Sequence, residues 1–246
     1  MARFFIRTES IQETSATLTG PELDHLRRVL RLIVGDIVTL FDNSGREHEA
    51  VIRSLNSDQA GLEIRRSYES VKESPLKLNL ALGLTKGEKM DFVVEKATEL
   101  GVATILPFTS SFTVPKLDEN KLAKRVERWR KIALSAAKQC GRTHVPEILP
   151  LCEFHRLVEG AGASALKLLF WEKEMAQTLR QVHGTNTEPP AILIAIGPEG
   201  GLSTPEAELA MARGFYTVHL GRRILRAETA AVTAVSLVQF LWGDLS

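Results

Sequence analysis

The last quarter of the chain contains two glycine-marked turns, AILIAIGPEGGLS at residues 191–203 and TVHLGRRILRAETAA at residues 217–231. Each begins with an apolar run of strand length, stops at glycine and continues into a helix-forming stretch. Turns of this kind lie at strand ends, where open α/β sheets bind their ligands. Gly197, Gly200 and Gly201 allow the backbone to come close to a ligand. The sequence therefore predicts one pocket built from both turns.

The composition is that of a globular protein, with 246 residues, a formal net charge of +1 and 44% apolar residues. No apolar run approaches the roughly 20 residues needed to span a bilayer, and the amino terminus lacks the apolar core of a signal peptide. Cys140 and Cys152 stand in no metal-ligand spacing, so we expect reduced thiols and no metal site. These features predict a cytoplasmic protein that contacts no membrane.

Two patterns divide the chain into a first domain at residues 1–72 and a second at residues 73–246. The first reads as short strands around one helix, which favours a small β-barrel. The second alternates strands and helices, which implies a mostly parallel α/β sheet. The helix of the first domain begins near Pro21, and its apolar residues at helical spacing are Leu23, Leu26, Val29 and Leu30.

A basic stretch at residues 121–142 carries eight lysines or arginines against one acid, Glu127. An apolar stripe runs along the same predicted helix, so the charges fall largely on its other side. Such a face is either solvated or binds phosphates, and the sequence leaves both readings open.

Several features also have a purely structural reading. A tight strand-to-helix turn can select glycine, and Glu228 can be a favourable first-turn acid of its helix. The GxGxxA match at residues 160–165 precedes a strand, whereas a dinucleotide site must follow one. We therefore expect no dinucleotide cofactor.

Four ordered blocks, at residues 86–102, 128–142, 196–201 and 220–230, together with residues 24–31, resemble the RsmE-type 16S ribosomal RNA uridine-N3 methyltransferases of the SPOUT (α/β-knot) superfamily. The resemblance implies an α+β amino-terminal PUA-like β-barrel that binds RNA, followed by an α/β SPOUT domain with a carboxy-terminal trefoil knot. It also implies a homodimer that holds S-adenosyl-L-methionine in the knot. The methyl acceptor would be a uridine of 16S rRNA in the small ribosomal subunit, with m3U1498 as the family's usual product.

The expected site residues fall into three groups. Catalysis would use Glu228 as the base that removes the N3 proton, Arg226 to stabilise charge on the uracil oxygens and Thr229 to hydrogen-bond the base. The expected cofactor-binding residues are Leu169, Gly197, Pro198, Glu199, Gly200, Gly201, Leu220, Gly221, Ile224 and Leu225. The expected RNA-binding residues are His25, Arg27, Arg28, Arg31, Lys86, Lys89, Gln139 and Arg142.

One departure from the family and two rival functions accompany these expectations. Family members commonly carry a Glu-Arg pair where this chain has Ser110, Ser111, Phe112 and Thr113, so no role is carried onto those residues. The rivals are a SPOUT enzyme that acts on ribose 2′-OH or on transfer RNA, and a non-catalytic RNA-binding protein.

Overall fold

The computed structural model describes residues 1–113, 119–162 and 165–245, and these form two compact units. The first unit comprises Met1–Glu73 and Ala137–Val145. The second unit comprises Ser74–Ala136 and Pro146–Ser246, within the described ranges.

The first unit is built on a mixed sheet that has five strands among the described residues. Its strands are β1 (Ala2–Phe5), β2 (Ser15–Leu18), β3 (Ile37–Phe41), β4 (Arg46–Leu55) and β5 (Ala60–Glu69). They lie in the order β1-β3-β4-β5-β2, with β1 and β3 parallel and the other pairs antiparallel. Inward residues of each strand share one apolar core, represented by Phe4, Leu18, Leu40, Ile52 and Leu62.

The predicted helix of the first unit is only partly α-helical. Helix α1 (Gly20–Asp24) passes into a π-helical turn over His25–Val29, in which the Leu30 N–H donates to the His25 carbonyl at 3.0 Å. The wider turn rotates the residues beyond it out of the inward face. Leu23 and Leu26 are buried, whereas Val29 and Leu30 are 65% and 40% exposed, so the apolar spacing marks the inward face only as far as Leu26.

The second unit is an α/β layer structure around a parallel sheet, which has seven strands in the part of the chain that the structure describes. The strands are β6 (Leu78–Gly83), β7 (Thr104–Thr109), β8 (Glu147–Ile148), β9 (Cys152–Glu153), β10 (Leu166–Phe170), β11 (Ile192–Ile196) and β12 (Phe215–Val218). Their order is β12-β10-β11-β6-β7-β8, with β9 also beside β7. Every pairing is parallel, which confirms the prediction.

Helices cover both faces of this sheet, so its central strands are apolar on both sides. The helices are α2 (Lys89–Glu99), α3 (Glu119–Cys140), α4 (Phe154–Gly160), α5 (Leu179–Thr185), α6 (Thr204–Ala212) and α7 (Ala227–Trp242). Helix α7 packs on β11 and on α2, whereas α4 and α6 share a core with β10 and β11 on the other side. Strand β11 is buried along its whole length, so its first solvent-facing backbone follows Ile196.

Arg142 is a structural residue of the first unit. Its Nε and Nη2 atoms donate to the Glu73 carboxylate at 3.0 and 2.8 Å, and its side chain is almost fully buried. The other Glu73 oxygen accepts the N–H groups of Thr143 and His144. Burial favours the neutral acid, but these hydrogen bonds outweigh it and hold the pKa of Glu73 below its usual range. The expected RNA contact at Arg142 is therefore corrected, since its guanidinium is already bound inside the unit.

Replacing Arg142 with methionine should destabilise the protein by about 3–5 kcal/mol, because it leaves the Glu73 charge buried without its partner. Calorimetric or urea unfolding measures this loss. The matched control is Arg130→Met, which breaks the exposed pair with Glu127 and should cost no more than about 1 kcal/mol. Equal midpoints for Arg142→Met and the wild type would contradict the structural role.

Candidate active site

A cavity of about 460 Å³ lies at the carboxyl ends of β10, β11 and β12. Residues 196–201 at the end of β11 and residues 218–227 at the end of β12 supply most of its wall, and the other lining residues are Lys89, Phe170, Trp171, Glu172, Met175 and Ala230. The two glycine-marked turns thus meet at one cavity, as the sequence predicted. A cavity of this size falls within the usual range for small-molecule sites.

The turn after β11 is held in place by close contacts and by the first turn of α6. A Cβ atom at Gly83, on the neighbouring strand, would overlap the backbone of Pro198. Gly201 has a φ of +72° and donates its N–H to the Pro198 carbonyl at 2.9 Å. Glu206 accepts the Ser203 N–H at 2.8 Å. These contacts hold the backbone of the turn close to the edge of the sheet.

Ser111 and Phe112, at the departure from the family pattern, lie beside this turn. The Ser111 N–H donates to Glu206 at 2.8 Å, and a Cβ at Gly200 would lie only 2.8 Å from the Phe112 Cβ. This segment thus packs against the glycine turn through Phe112 and is joined to the start of α6 through the Ser111 N–H.

Most of the expected cofactor residues line the cavity. Nine of the ten do so, and the tenth, Leu169, is fully buried inside β10, next to Phe170, which does line it. Arg226 also lines the cavity, whereas Glu228 lies just behind the wall and Thr229 is exposed on the first turn of α7. The sequence reading missed the residues after β10, although their position at a strand end beside the switch in strand order was a usable signal.

Three charged side chains from different segments meet at the wall of the cavity, and we call them the Lys89 cluster: Lys89, Glu199 and Glu228, of which the first two line the cavity. The Lys89 Nζ lies 3.0 Å from Glu199 Oε1 and 3.8 Å from Glu228 Oε2. Glu199 Oε1 also accepts the Lys86 N–H at 3.0 Å. Burial favours neutral Glu199, but these two donors outweigh it and lower the pKa of its carboxyl. Glu228 Oε2 is buried and has no hydrogen-bond partner among the described residues.

Glu174 shapes the rim of the cavity after β10. One of its oxygens accepts the N–H groups of Met175, Ala176 and Gln177, and the other accepts the Thr217 hydroxyl at 2.6 Å. The hydroxyl and the backbone donors stabilise the charged form and lower the pKa of Glu174 to about 2. This carboxylate thereby joins the rim to β12 and presents Met175 at the cavity.

The other expected RNA-binding residues lie at several places in the two units. Arg28 pairs with Asp24 at 3.2 Å, and Arg27 donates to the Ser57 carbonyl. The His25 ring contacts Phe4 edge-on, so it is partly a core residue. Three more of these residues, Arg31, Lys86 and Gln139, are exposed to solvent.

The basic stretch is partly neutralised within the chain. Within the described ranges, at least four of its eight cations form ion pairs with carboxylates, namely Arg128 with Asp91, Arg130 with Glu127, Lys138 with Glu22 and Arg142 with Glu73. The stretch is therefore a mixture of structural and solvent-facing charges.

Neither cysteine is in a disulfide, and no group of three or more His, Cys, Asp or Glu residues within the described ranges is arranged to hold a metal ion. None of the described helices has the length and apolar character that crossing a membrane requires.

Comparisons with known proteins identify the family of this chain. A sequence model described as an RNA methyltransferase domain matches residues 72–239, and one described as an RNA methyltransferase PUA domain matches residues 18–65. Ribosomal RNA small subunit methyltransferase E of Bacillus subtilis (strain 168) is 32% identical over 98% of this chain and 96% of its own length. Among solved structures, a methyltransferase from Legionella pneumophila in complex with bound SAM has a TM-score of 0.90 and 35% identity, with 99% of both chains covered.

A second solved structure is ribosomal RNA small subunit methyltransferase E from Neisseria gonorrhoeae bound to S-adenosyl methionine. It has a TM-score of 0.89 and 34% identity, with 100% of both chains covered. The matches define the class of protein as an RNA methyltransferase with a PUA-like domain. They confirm the expected methyltransferase domain and the expected PUA-like domain. Within that class, this chain belongs to the ribosomal RNA small subunit methyltransferase E family.

Replacing Glu174 with glutamine should destabilise the protein on the order of 1 kcal/mol at neutral pH, a value at the low end because solvent screens this carboxylate. The folded-state pKa lies below the usual 4.5. The wild-type advantage is therefore present above about 4.5 and is lost as the pH falls to about 2. Unfolding at several pH values measures it, with Glu208→Gln on the exposed face of α6 as the control. A pH-independent difference would contradict the role of the charge.

Proposed function

We propose that this protein transfers the methyl group of S-adenosyl-L-methionine to N3 of a uridine in the 16S rRNA of the small ribosomal subunit. One observation carries the proposal: two glycine turns and Arg226 enclose one cavity in a chain that resembles, along its whole length, methyltransferases bound to that cofactor. Donor and acceptor would meet at the carboxyl edge of the parallel sheet.

The cavity fits the cofactor in the chemistry of its wall. Backbone N–H and carbonyl groups of residues 197–201 and 220–225 suit the polar ends of the molecule, and Phe170, Ile196 and Val218 supply apolar contacts for its planar base. When bound, S-adenosylmethionine supplies an electrophilic methyl group on a positively charged sulfur. The acid Glu172 lies on the same wall and provides negative charge near that cation.

The residues around the cavity would manage the proton and the charge of the acceptor. Uridine N3 carries a weakly acidic proton that must leave as the new bond forms. Glu228 is our proposed base, because its Oε2 is buried without a hydrogen-bond partner among the described residues. A positioned general base accelerates a reaction roughly 10²–10⁴-fold. Arg226 would stabilise negative charge on the uracil oxygens, and Thr229 would form a hydrogen bond with the uracil ring.

The wild-type protein should convert uridine to 3-methyluridine when it is incubated with labelled S-adenosylmethionine and small ribosomal subunits that lack the modification. Nucleoside mass spectrometry identifies the product. Glu228→Gln should lower the rate constant of methyl transfer by roughly 10²–10⁴-fold while the cofactor Kd from calorimetry stays unchanged.

The control for that variant is Glu208→Gln, which should transfer at the wild-type rate. A 2′-O-methylated product, or transfer only to transfer RNA, would replace the proposed acceptor with one of its rivals. Cofactor binding without transfer to any RNA would favour the non-catalytic alternative. Normal transfer by Glu228→Gln would remove Glu228 as the base.

We further propose that residues 1–72 bind RNA and that residues 73–246 carry out methyl transfer. A uridine in folded rRNA must be unpaired or flipped out to be methylated, so flanking phosphates need a separate contact. Arg27 and Arg28 lie in the π-helical turn that follows α1, and Arg31 lies two residues beyond that turn. These three arginines would supply the phosphate contact. The solvent-exposed side chains of Lys86 and Gln139 would add further contacts to RNA.

Replacing Arg27, Arg28 and Arg31 together with alanine should weaken RNA binding and reduce its salt dependence by about 0.7 per lost phosphate contact on a logarithmic plot. Cofactor affinity should stay unchanged. Filter binding at several salt concentrations measures the slope. A control triple variant with Arg7, Arg65 and Arg66 replaced removes the same charge from the same unit. Equal losses in both triple variants would show a general charge effect instead of a specific surface.

The remaining expectations are a SPOUT knot, a homodimer and a cytoplasmic location. The chain leaves β11, forms β12 on the far side of β10 and returns as α7 to pack on β11. This crossing supports a trefoil knot, and an experimental trace of residues 195–242 would test it.

Helix α7 also leaves Leu237 and Phe240 exposed, which supports a second copy of the chain as partner. Sedimentation equilibrium would show a monomer at micromolar concentration if the dimer is wrong.

A further inference from the structure

Lys89 stands where three segments of the second unit meet. It is the first residue of α2, Glu199 belongs to the turn after β11, and Glu228 belongs to the first turn of α7. The turn and the first turn of α7 come together through charge, because one ammonium group faces both carboxylates. All three side chains are at least two-thirds buried, so solvent screens these interactions less than it does at the surface.

The two carboxylates depend on Lys89 to different degrees. Glu199 has a second donor, the Lys86 N–H, which fixes its position. For Glu228, Lys89 is the cation within 4 Å among the described residues, and its Oε2 accepts no hydrogen bond there. The orientation of Glu228 therefore rests on Lys89, and the position of Lys89 rests on the turn that carries Glu199.

This chain of contacts also conflicts with an RNA contact at Lys89. The ammonium is engaged by Glu199 at 3.0 Å and lines the cavity instead of projecting from the surface. A phosphate would have to compete with two carboxylates for it. Lys86, three residues earlier, is exposed and has no such constraint on its side chain.

We propose that Lys89 is a positioning residue that joins the glycine turn after β11 to Glu228, so that the carboxylate is correctly presented only when the turn is ordered. This inference rests on the proposed function, because it assigns to Glu228 a role in the transfer step. It adds a link between the part of the cavity that binds the methyl donor and the group that takes the proton from the acceptor.

The test is a double-mutant cycle in which methyl transfer is measured in single turnover at saturating cofactor and RNA. Lys89→Met should slow transfer about 10–100-fold, and Lys89→Arg should restore it to within about fivefold. In the Glu228→Gln background, Lys89→Met should have almost no further effect, since residues that act as a unit are not additive. The RNA concentration at half-maximal rate should stay unchanged. Lys77→Met, an exposed lysine of the same unit, is the control.

Three results would overturn the inference. The first is a full additional loss for Lys89→Met in the Glu228→Gln background. The second is weaker RNA binding with an unchanged transfer rate, which would make Lys89 a phosphate contact. The third is a failure of Lys89→Arg to restore activity in a folded protein.

A second variant and a second readout protect the test. If Lys89→Met does not fold, Glu199→Gln keeps the lysine but removes its anchor. It should slow transfer about 3–10-fold in the wild-type background and have almost no further effect in the Glu228→Gln background. Amide hydrogen exchange at residues 197–201 and 227–231 should accelerate in Lys89→Met, and unchanged exchange would contradict the link. This readout needs no turnover. A wild-type protein that transfers no methyl group would therefore disprove the proposed function while exchange still judges the link.

Discussion

The cavity depends on the absence of a side chain at the end of β6. Strands β6 and β11 are adjacent and parallel, so the chain that leaves β11 passes directly beside Gly83. Any Cβ at that position would overlap Pro198, and the turn would be pushed away from the sheet edge. Because the turn stays close, its backbone becomes the floor of the cavity, and the turn after β12 closes the opposite side. Every chemical feature of the site thus depends on the close approach of these two strand ends.

Irregular segments around this sheet and in the first unit are held by the same device, a carboxylate that accepts several backbone N–H groups. Glu174 does this for the rim after β10, Glu206 for the start of α6 and Glu73 for the segment after α3. Loops expose N–H groups that no ladder satisfies, and charge-assisted hydrogen bonds to them are stronger than neutral ones. Acids that look like ordinary surface charges in the sequence therefore determine where the loops lie.

The parts of the fold that were predictable follow from short-range patterns. Apolar runs ending at glycine located β11 and β12 and placed the cavity at their ends, because in parallel sheets strand direction alone decides which edge binds ligands. The π-helical turn at His25–Val29 was not predictable, since its hydrophobic spacing is indistinguishable from that of an α-helix until the i to i+5 hydrogen bond is seen. Leu169 was expected among the cofactor-binding residues, whereas Phe170 beside it lines the cavity. The reason is related: a strand buried on both faces gives no alternation to separate residues near a cavity from core residues.

Side-chain pairing is the level at which sequence reasoning fails most. Residues 121–142 have a strong excess of positive charge when counted along the chain, yet the partners of Arg128, Lys138 and Arg142 are Asp91, Glu22 and Glu73, which lie far away in sequence. Local charge density counts cations but not the distant acids that neutralise them. The same holds for Lys89, which the sequence assigned to RNA together with Lys86, whereas its neighbours in space are two carboxylates. A basic motif predicts a phosphate contact only after the folded chain has been shown to leave its charges available.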